Sequence, residues 1–143
     1  IKVEIEVSGQ PRGKGRPRFT RNGHTYTDAK TKEYEKRIHA AAWQKMRELK
    51  LKPIGKFCHL ELIAFMEIPT SWSKVKQIEA EFGAIKPITK PDLDNIIKAA
   101  KDGISGLDGI ILDDKQVTSI NAKKVYCHPE RGPVLYICVS WTE

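Results

Sequence analysis

Residues 90–116 read Lys-Pro-Asp-Leu-Asp-Asn-Ile-Ile-Lys-Ala-Ala-Lys-Asp-Gly-Ile-Ser-Gly-Leu-Asp-Gly-Ile-Ile-Leu-Asp-Asp-Lys-Gln. Two acid pairs frame this stretch: Asp92 with Asp94, and Asp113 with Asp114. Pro91 followed by Asp92 suits a helix entry, where a short acceptor can take the first free N–H groups. Ile96, Ile97 and Ala100, with Ile104 near the end, recur at helical spacing, and Gly103 and Gly106 lie near the stop. The pattern predicts a helix from Asp92 to about Ile104. A turn through Asp108 and Gly109 then leads to the apolar run Ile110-Ile111-Leu112, which ends on the second acid pair.

Upstream, Ile1 to Ser8 alternates apolar and polar residues as a half-buried strand does. Gly9 to Thr27 is rich in Gly, Pro and Arg and reads as a loop. A long helix is expected over Ala29–Leu49, capped by Asp28 or Thr31, with Tyr34, Ile38, Ala41, Ala42, Met46 and Leu49 on one face. Pro53 and Gly55 end it. Phe57 to Ile68 reads as a strand, and Ser71 to Phe82 as a short charged helix capped by Ser71 or Ser73. Downstream, Gln116–Tyr126 and Val134–Trp141 read as strands. The turn between them, Pro129 to Pro133, suggests that they pair as a hairpin. The order strand-helix-strand-helix-helix-strand-strand defines an α+β (mixed α/β) fold. The chain has 143 residues, the size of one domain covering 1–143.

The net charge of +7 favours an anionic partner, with nucleic acid, acidic lipid and acidic protein all eligible. No apolar run is long enough to cross a bilayer, and Ile1–Val7 patterns as a strand rather than a leader, so a soluble cytoplasmic protein is expected. The three cysteines, Cys58, Cys127 and Cys138, form no Cys-x-x-Cys pair and sit in apolar segments. They read as small core residues rather than zinc ligands or disulfide partners. His24, His39, His59 and His128 lack zinc spacing. Gly9-x-x-x-Gly13 lacks the Lys-Ser/Thr ending of a nucleotide-binding loop, so no nucleotide cofactor is expected.

The acids admit two readings. Mg²⁺ prefers carboxylate and water oxygens. Two carboxylates at a helix entry, with Leu93 between them turned inward, can face one site, and an acid from a neighbouring segment can complete it. Lys98, one turn beyond Asp94, would meet a phosphate or developing negative charge. Alternatively, Asp92 and Asp94 are a helix cap and a dipole partner, Asp94 pairs with Lys98, and Asp113-Asp114 is a polar turn; the protein is then a non-catalytic DNA binder. Arg12, Lys14, Arg16, Arg18 and Arg21 in the Gly/Pro-rich loop, interleaved with Phe19 and Tyr26, suit phosphate contact, and the two aromatics suit the core. Trp72 is a weaker candidate for a DNA or partner contact.

The run Lys-Pro-Asp-Leu-Asp-Asn-x-x-Lys at 90–98, then Asp-Asp-x-Gln-Val at 113–117, resembles the signature of RusA-type Holliday junction resolvases, and Gly13 to Arg18 is similar to the basic segment of their phage and prophage branch. The likeness spans nearly the whole chain. It implies a homodimer that resolves four-way DNA junctions in recombination and repair by paired symmetric nicks, through attack of metal-activated water. It also implies Mg²⁺, with Mn²⁺ as a substitute, held by Asp92, Asp94 and Asp114 with Asp113 assisting, and Lys98 as the catalytic cation.

Overall fold

In the computed structural model, residues 1–15, 18–23, 25–26 and 29–143 are described, and 18–19 and 25–26 by their backbone alone. Strand β1 (Lys2–Ser8) buries Val3, Ile5 and Val7 and exposes the residues between them. This is the alternation a one-sided sheet demands. Strands β2 (Arg18–Phe19) and β3 (Thr25–Tyr26) form a small antiparallel pair inside the segment read as loop. Helix α1 (Ala29–Glu48) buries Thr31, Tyr34, Ile38, Ala42 and Met46, while Leu49, expected on this face, is exposed beyond its end. Asp28, one of the two expected caps, lies outside the described residues; Thr31 instead accepts the Gly15 N–H at 3.2 Å.

Strand β4 (Cys58–Met66) and helix α2 (Lys74–Glu81) follow, and the Ser73 hydroxyl caps α2 by accepting from the Lys76 N–H. Helix α3 (Leu93–Ile104) buries Ile96, Ala99, Ala100, Gly103 and Ile104. A 3-10 turn (Asp114–Gln116), strand β5 (Val117–Tyr126) and strand β6 (Val134–Ser140) complete the chain.

The main sheet has the order β1-β6-β4-β5. The expected hairpin of the last two strands does not form. β6 lies between β1 and β4, antiparallel to both, and β5 runs parallel to β4 at the edge. Burial explains the difference. β6 and β4 carry the most apolar sequences and take the centre, whereas β5 exposes Thr118, Ser119, Ile120 and Asn121. The parallel β4–β5 pair needs a long crossover, and α2 and α3 provide it.

Helices α1 and α3 cover one face of the sheet, and the core between them joins Leu60, Leu62, Leu135, Ile137, Ile38 and Ile96. They meet closely at Gly103, where an added Cβ would sit 2.6 Å from Ile38 Cγ2. All three cysteines are free and buried, as their apolar settings implied. Trp72 is half-buried, its ring edge-on to Tyr126 at 5.4 Å with the Lys76 ammonium 4.0 Å from the ring centre. Among the described residues, no helix is long and apolar enough to cross a membrane.

Candidate active site

The first acid pair sits at the entry of α3. Asp92 occupies the cap position with extended backbone (φ −67°, ψ 146°), yet its carboxylate makes no capping hydrogen bond. A structural cap would accept an N–H two or three residues on. Asp92 therefore keeps its oxygens available, and Asp94, in the first turn, is exposed. Leu93 between them packs against the core and orients the turn. Lys98 is exposed one turn further on.

The carbonyls just before Asp92 are tied down. Lys124 on β5 donates to Thr89 O at 2.7 Å and to Pro91 O at 2.9 Å. The basic loop is stitched to the same place. Lys14 N–H donates to Asn95 O at 2.9 Å. Gly13 lies so close to α3 that a Cβ there would be 2.8 Å from Asn95 Cβ and 3.0 Å from Pro91 Cβ, so the approach requires glycine.

The second acid pair behaves differently. Asp113 is a true cap: its carboxylate accepts from Lys115 N–H at 3.0 Å, and Gln116 Oε1 accepts from Asp113 N–H at 2.8 Å. The Lys115 N–H holds the Asp113 carboxyl below the ordinary 3.8. Gln116 also donates through Nε2 to Ile54 O at 2.6 Å and Lys56 O at 2.8 Å, which pins the turn to the chain ahead of β4. Asp114, half-buried, starts the turn without that capping duty.

The two pairs do not meet within one chain. Ile110 and Ile111 both donate to the Ile104 carbonyl, at 2.7 and 3.2 Å, which places the second pair beyond the C-terminal end of α3. The first pair stands at its N-terminal end. A helix of 12 residues separates them, about 18 Å of axial rise. Accordingly, among the described residues no group of three or more His, Cys, Asp or Glu is placed to share a metal ion. Within one chain, the second acid pair therefore does not stand beside the first at the head of α3.

The basic residues also divide. Arg12 and Arg21 are exposed. Lys14 is engaged elsewhere: its ammonium is 2.5 Å from Asp102 Oδ2 on α3 and 3.1 Å from Glu35 Oε1 on α1. Arg16 lies outside the described residues, as does the Arg18 side chain, and so do His24 and the rings of Phe19 and Tyr26. Lys30 and Lys90 join Arg12 around a groove of about 400 Å³ that also touches Pro91, the residue before Asp92. Sequence reading quoted Lys90 within the acid motif without giving it a role and did not single out Lys30. Lys90 stands two residues before Asp92, which was a usable signal; Lys30 had none.

Free carboxylates at a helix entry beside a cation-lined groove can place a phosphodiester against oxygen ligands for a hard cation. Residues 8–135 match the family described as Endodeoxyribonuclease RusA. The chain belongs to the RusA family. It is thus an endodeoxyribonuclease of a family that resolves Holliday junctions and acts on branched DNA. A Bacillus subtilis (strain 168) relative, described as "Uncharacterized protein YqaN", is 33% identical over 144 residues, covering 96% of this chain and 97% of its own length. The RusA match takes in both acid pairs, the basic loop and every helix.

Proposed function

We propose that this chain is a Mg²⁺-dependent resolvase of four-way DNA junctions whose two active sites are each built from two copies of the chain. The observation that carries this reading is the uncapped carboxylate of Asp92 at the head of α3, beside a groove lined by Arg12, Lys30 and Lys90. The donor set suits the cation: Asp92 and Asp94 offer hard oxygens on a chain segment fixed by Lys124. Asp92 and Asp94 of one copy, with Asp114 of the partner subunit, hold Mg²⁺, and Mn²⁺ substitutes. Asp113 acts through its cap, setting the turn that carries Asp114. Bound there, the cation supplies a nucleophile from water at neutral pH and offsets charge on the phosphate.

The chain's own residues do the rest. Arg12, Lys30, Lys90 and Arg21 bind the backbone of the junction arm, with Arg16 and Arg18 of the same loop. Lys98 faces the charge that builds on the phosphate. Lys14 positions the loop against α3 instead of contacting DNA. A two-fold dimer presents two such sites, which suits symmetric nicks in strands of like polarity.

The test is cleavage of a labelled four-way junction against linear duplex of the same sequence, with Mg²⁺ and with EDTA. Wild type should nick the junction at symmetric positions only with the cation. Asp94→Asn should abolish nicking while junction binding persists. Wild-type rates in Asp94→Asn would remove Asp94 from the site, and equal cutting of duplex would remove junction selectivity.

A further inference from the structure

We infer that the outer edge of β5 is the surface on which the second copy docks, as an antiparallel β5-to-β5 pair centred on Ile120. The inference rests on the reading above that acids of two chains share a site, and it adds the surface and its register.

Three observations carry it. First, β5 is a ten-residue strand at the end of the sheet, and among the described residues no strand pairs with its outer side. An exposed edge of that length presents a row of N–H and C=O groups ready to pair. Second, the two edges of the sheet differ in where their charge lies. β1, at the far edge, presents Lys2, Glu4 and Glu6, with Lys2 and Glu4 paired at 2.8 Å, the charged surface that keeps strands apart. β5 exposes the uncharged run Thr118, Ser119, Ile120 and Asn121 in a chain of net charge +7. Ile120 is 42% exposed. The charges of β5, Lys123 and Lys124, lie towards its far end, and a register centred on Ile120 sets Lys123 opposite Val117 of the partner subunit, so no like charges face each other.

Third, the antiparallel register brings together the acid pairs that one chain keeps apart. β5 starts just after Asp113 and Asp114 and runs back along α3 until Lys124 touches Pro91 O. With the two-fold axis at Ile120, Val117, the first residue of β5, stands opposite Lys123 of the partner subunit, and the turn that carries Asp113 and Asp114 lies just beyond that pair. Paired strands lie about 4.8 Å apart. Each chain's second acid pair then arrives at the head of its partner's α3, where Asp92 and Asp94 stand. The two-fold makes two such meetings at once. Partners across an antiparallel pair point to the same face of the sheet, so both helical layers stay on one side.

The test uses Ile120→Cys in the full chain under mild oxidation, with Glu4→Cys on the other edge as control. Residues directly opposite in an antiparallel pair have Cβ atoms about 4.5–5.5 Å apart, within reach of a disulfide after small adjustment. Most of the Ile120→Cys protein should run as a covalent dimer without reductant, and the Glu4→Cys protein should not; the native cysteines are buried. Ile120→Lys, which sets like charges face to face, should weaken the dimer at least tenfold in sedimentation while circular dichroism stays that of the wild type. A wild-type chain that sediments as a monomer, or a dimer that neither cross-links through position 120 nor responds to Ile120→Lys, overturns the proposal. Mixing Asp94→Asn chains with Asp114→Asn chains separates the two ideas. In a shared site, mixed dimers regain one intact centre and nick one strand. Regained nicking without the cross-link overturns the β5 interface and keeps the shared site. Cross-linking without regained nicking keeps the interface and removes the shared site.

Discussion

The ammonium of Lys124 donates to the carbonyl of Pro91 at 2.9 Å, so an edge strand of the sheet holds the residue that precedes the first acid of the candidate site. A second bond from the same ammonium to Thr89 O fixes the approach to α3 from both sides of Lys90. Lys124→Met keeps the stem and removes both bonds. Each is worth about 1 kcal/mol or somewhat more for a charged donor, so unfolding stability should fall by about 2–3 kcal/mol. The concentration of Mg²⁺ for half-maximal nicking should rise at the same time. Thermal unfolding together with a Mg²⁺ titration of cleavage checks this; an unchanged Mg²⁺ requirement would show that Lys124 serves stability alone.

Gln116 carries the second acid pair in the same fashion. Its amide donates to Ile54 O and Lys56 O and accepts from Asp113 N–H. Gln116→Leu leaves these partners unmatched and should cost about 1–3 kcal/mol. Nicking should fall more than tenfold while junction affinity changes little, because the turn bearing Asp114 loses its anchor. Gel-shift titration beside single-turnover cleavage reads the two quantities separately.

Arg12 and Lys14 stand two residues apart and should respond in opposite ways. Arg12→Ala removes the phosphate contact proposed for it and should lower the slope of log affinity against log salt by about one. Lys14→Met strands Asp102 and Glu35 without their shared cation. It should lower stability by about 2–4 kcal/mol and leave the salt slope near the wild-type value. Junction binding across a salt series, with denaturant unfolding of both variants, decides the assignment.

Burial pushes the Tyr34 phenol up to about 12. Tyrosine in the unfolded chain ionises near 10. The folded state therefore holds its proton longer than the unfolded state. The stability from the neutral phenol is fully present below about pH 10 and is lost as pH rises towards 12, a change of about 2–3 kcal/mol. Denaturant midpoints between pH 9 and 12 for wild type and Tyr34→Phe should diverge in slope, with the variant the flatter.

Residues near one another in sequence declared their roles by sequence alone. The alternation of Val3, Ile5 and Val7 made β1, and the spacing of Ile96, Ala100 and Ile104 made α3, because each pattern repeats with the period of its own backbone hydrogen bonding. Asp92 and Asp94 could be singled out for the same reason, since both lie in one helix entry. The cap-or-ligand question, however, waited on the tertiary structure, which leaves Asp92 uncapped and gives the cap to Asp113. The pairing of Lys14 with Asp102 was not legible in the sequence, because the two lie 88 positions apart and no local pattern announces such a pairing. The last two strands looked like a hairpin because a short turn joins them. Only competition for the centre of the sheet, won by the more apolar β6 and β4, sends β5 to the edge. The same competition sets the acid pairs at opposite ends of α3. Sequence patterns report hydrogen bonds and faces within about one turn or one strand; which elements become neighbours is decided by the burial of the whole chain, and so only the folded molecule could show that the two acid pairs stand at opposite ends of α3.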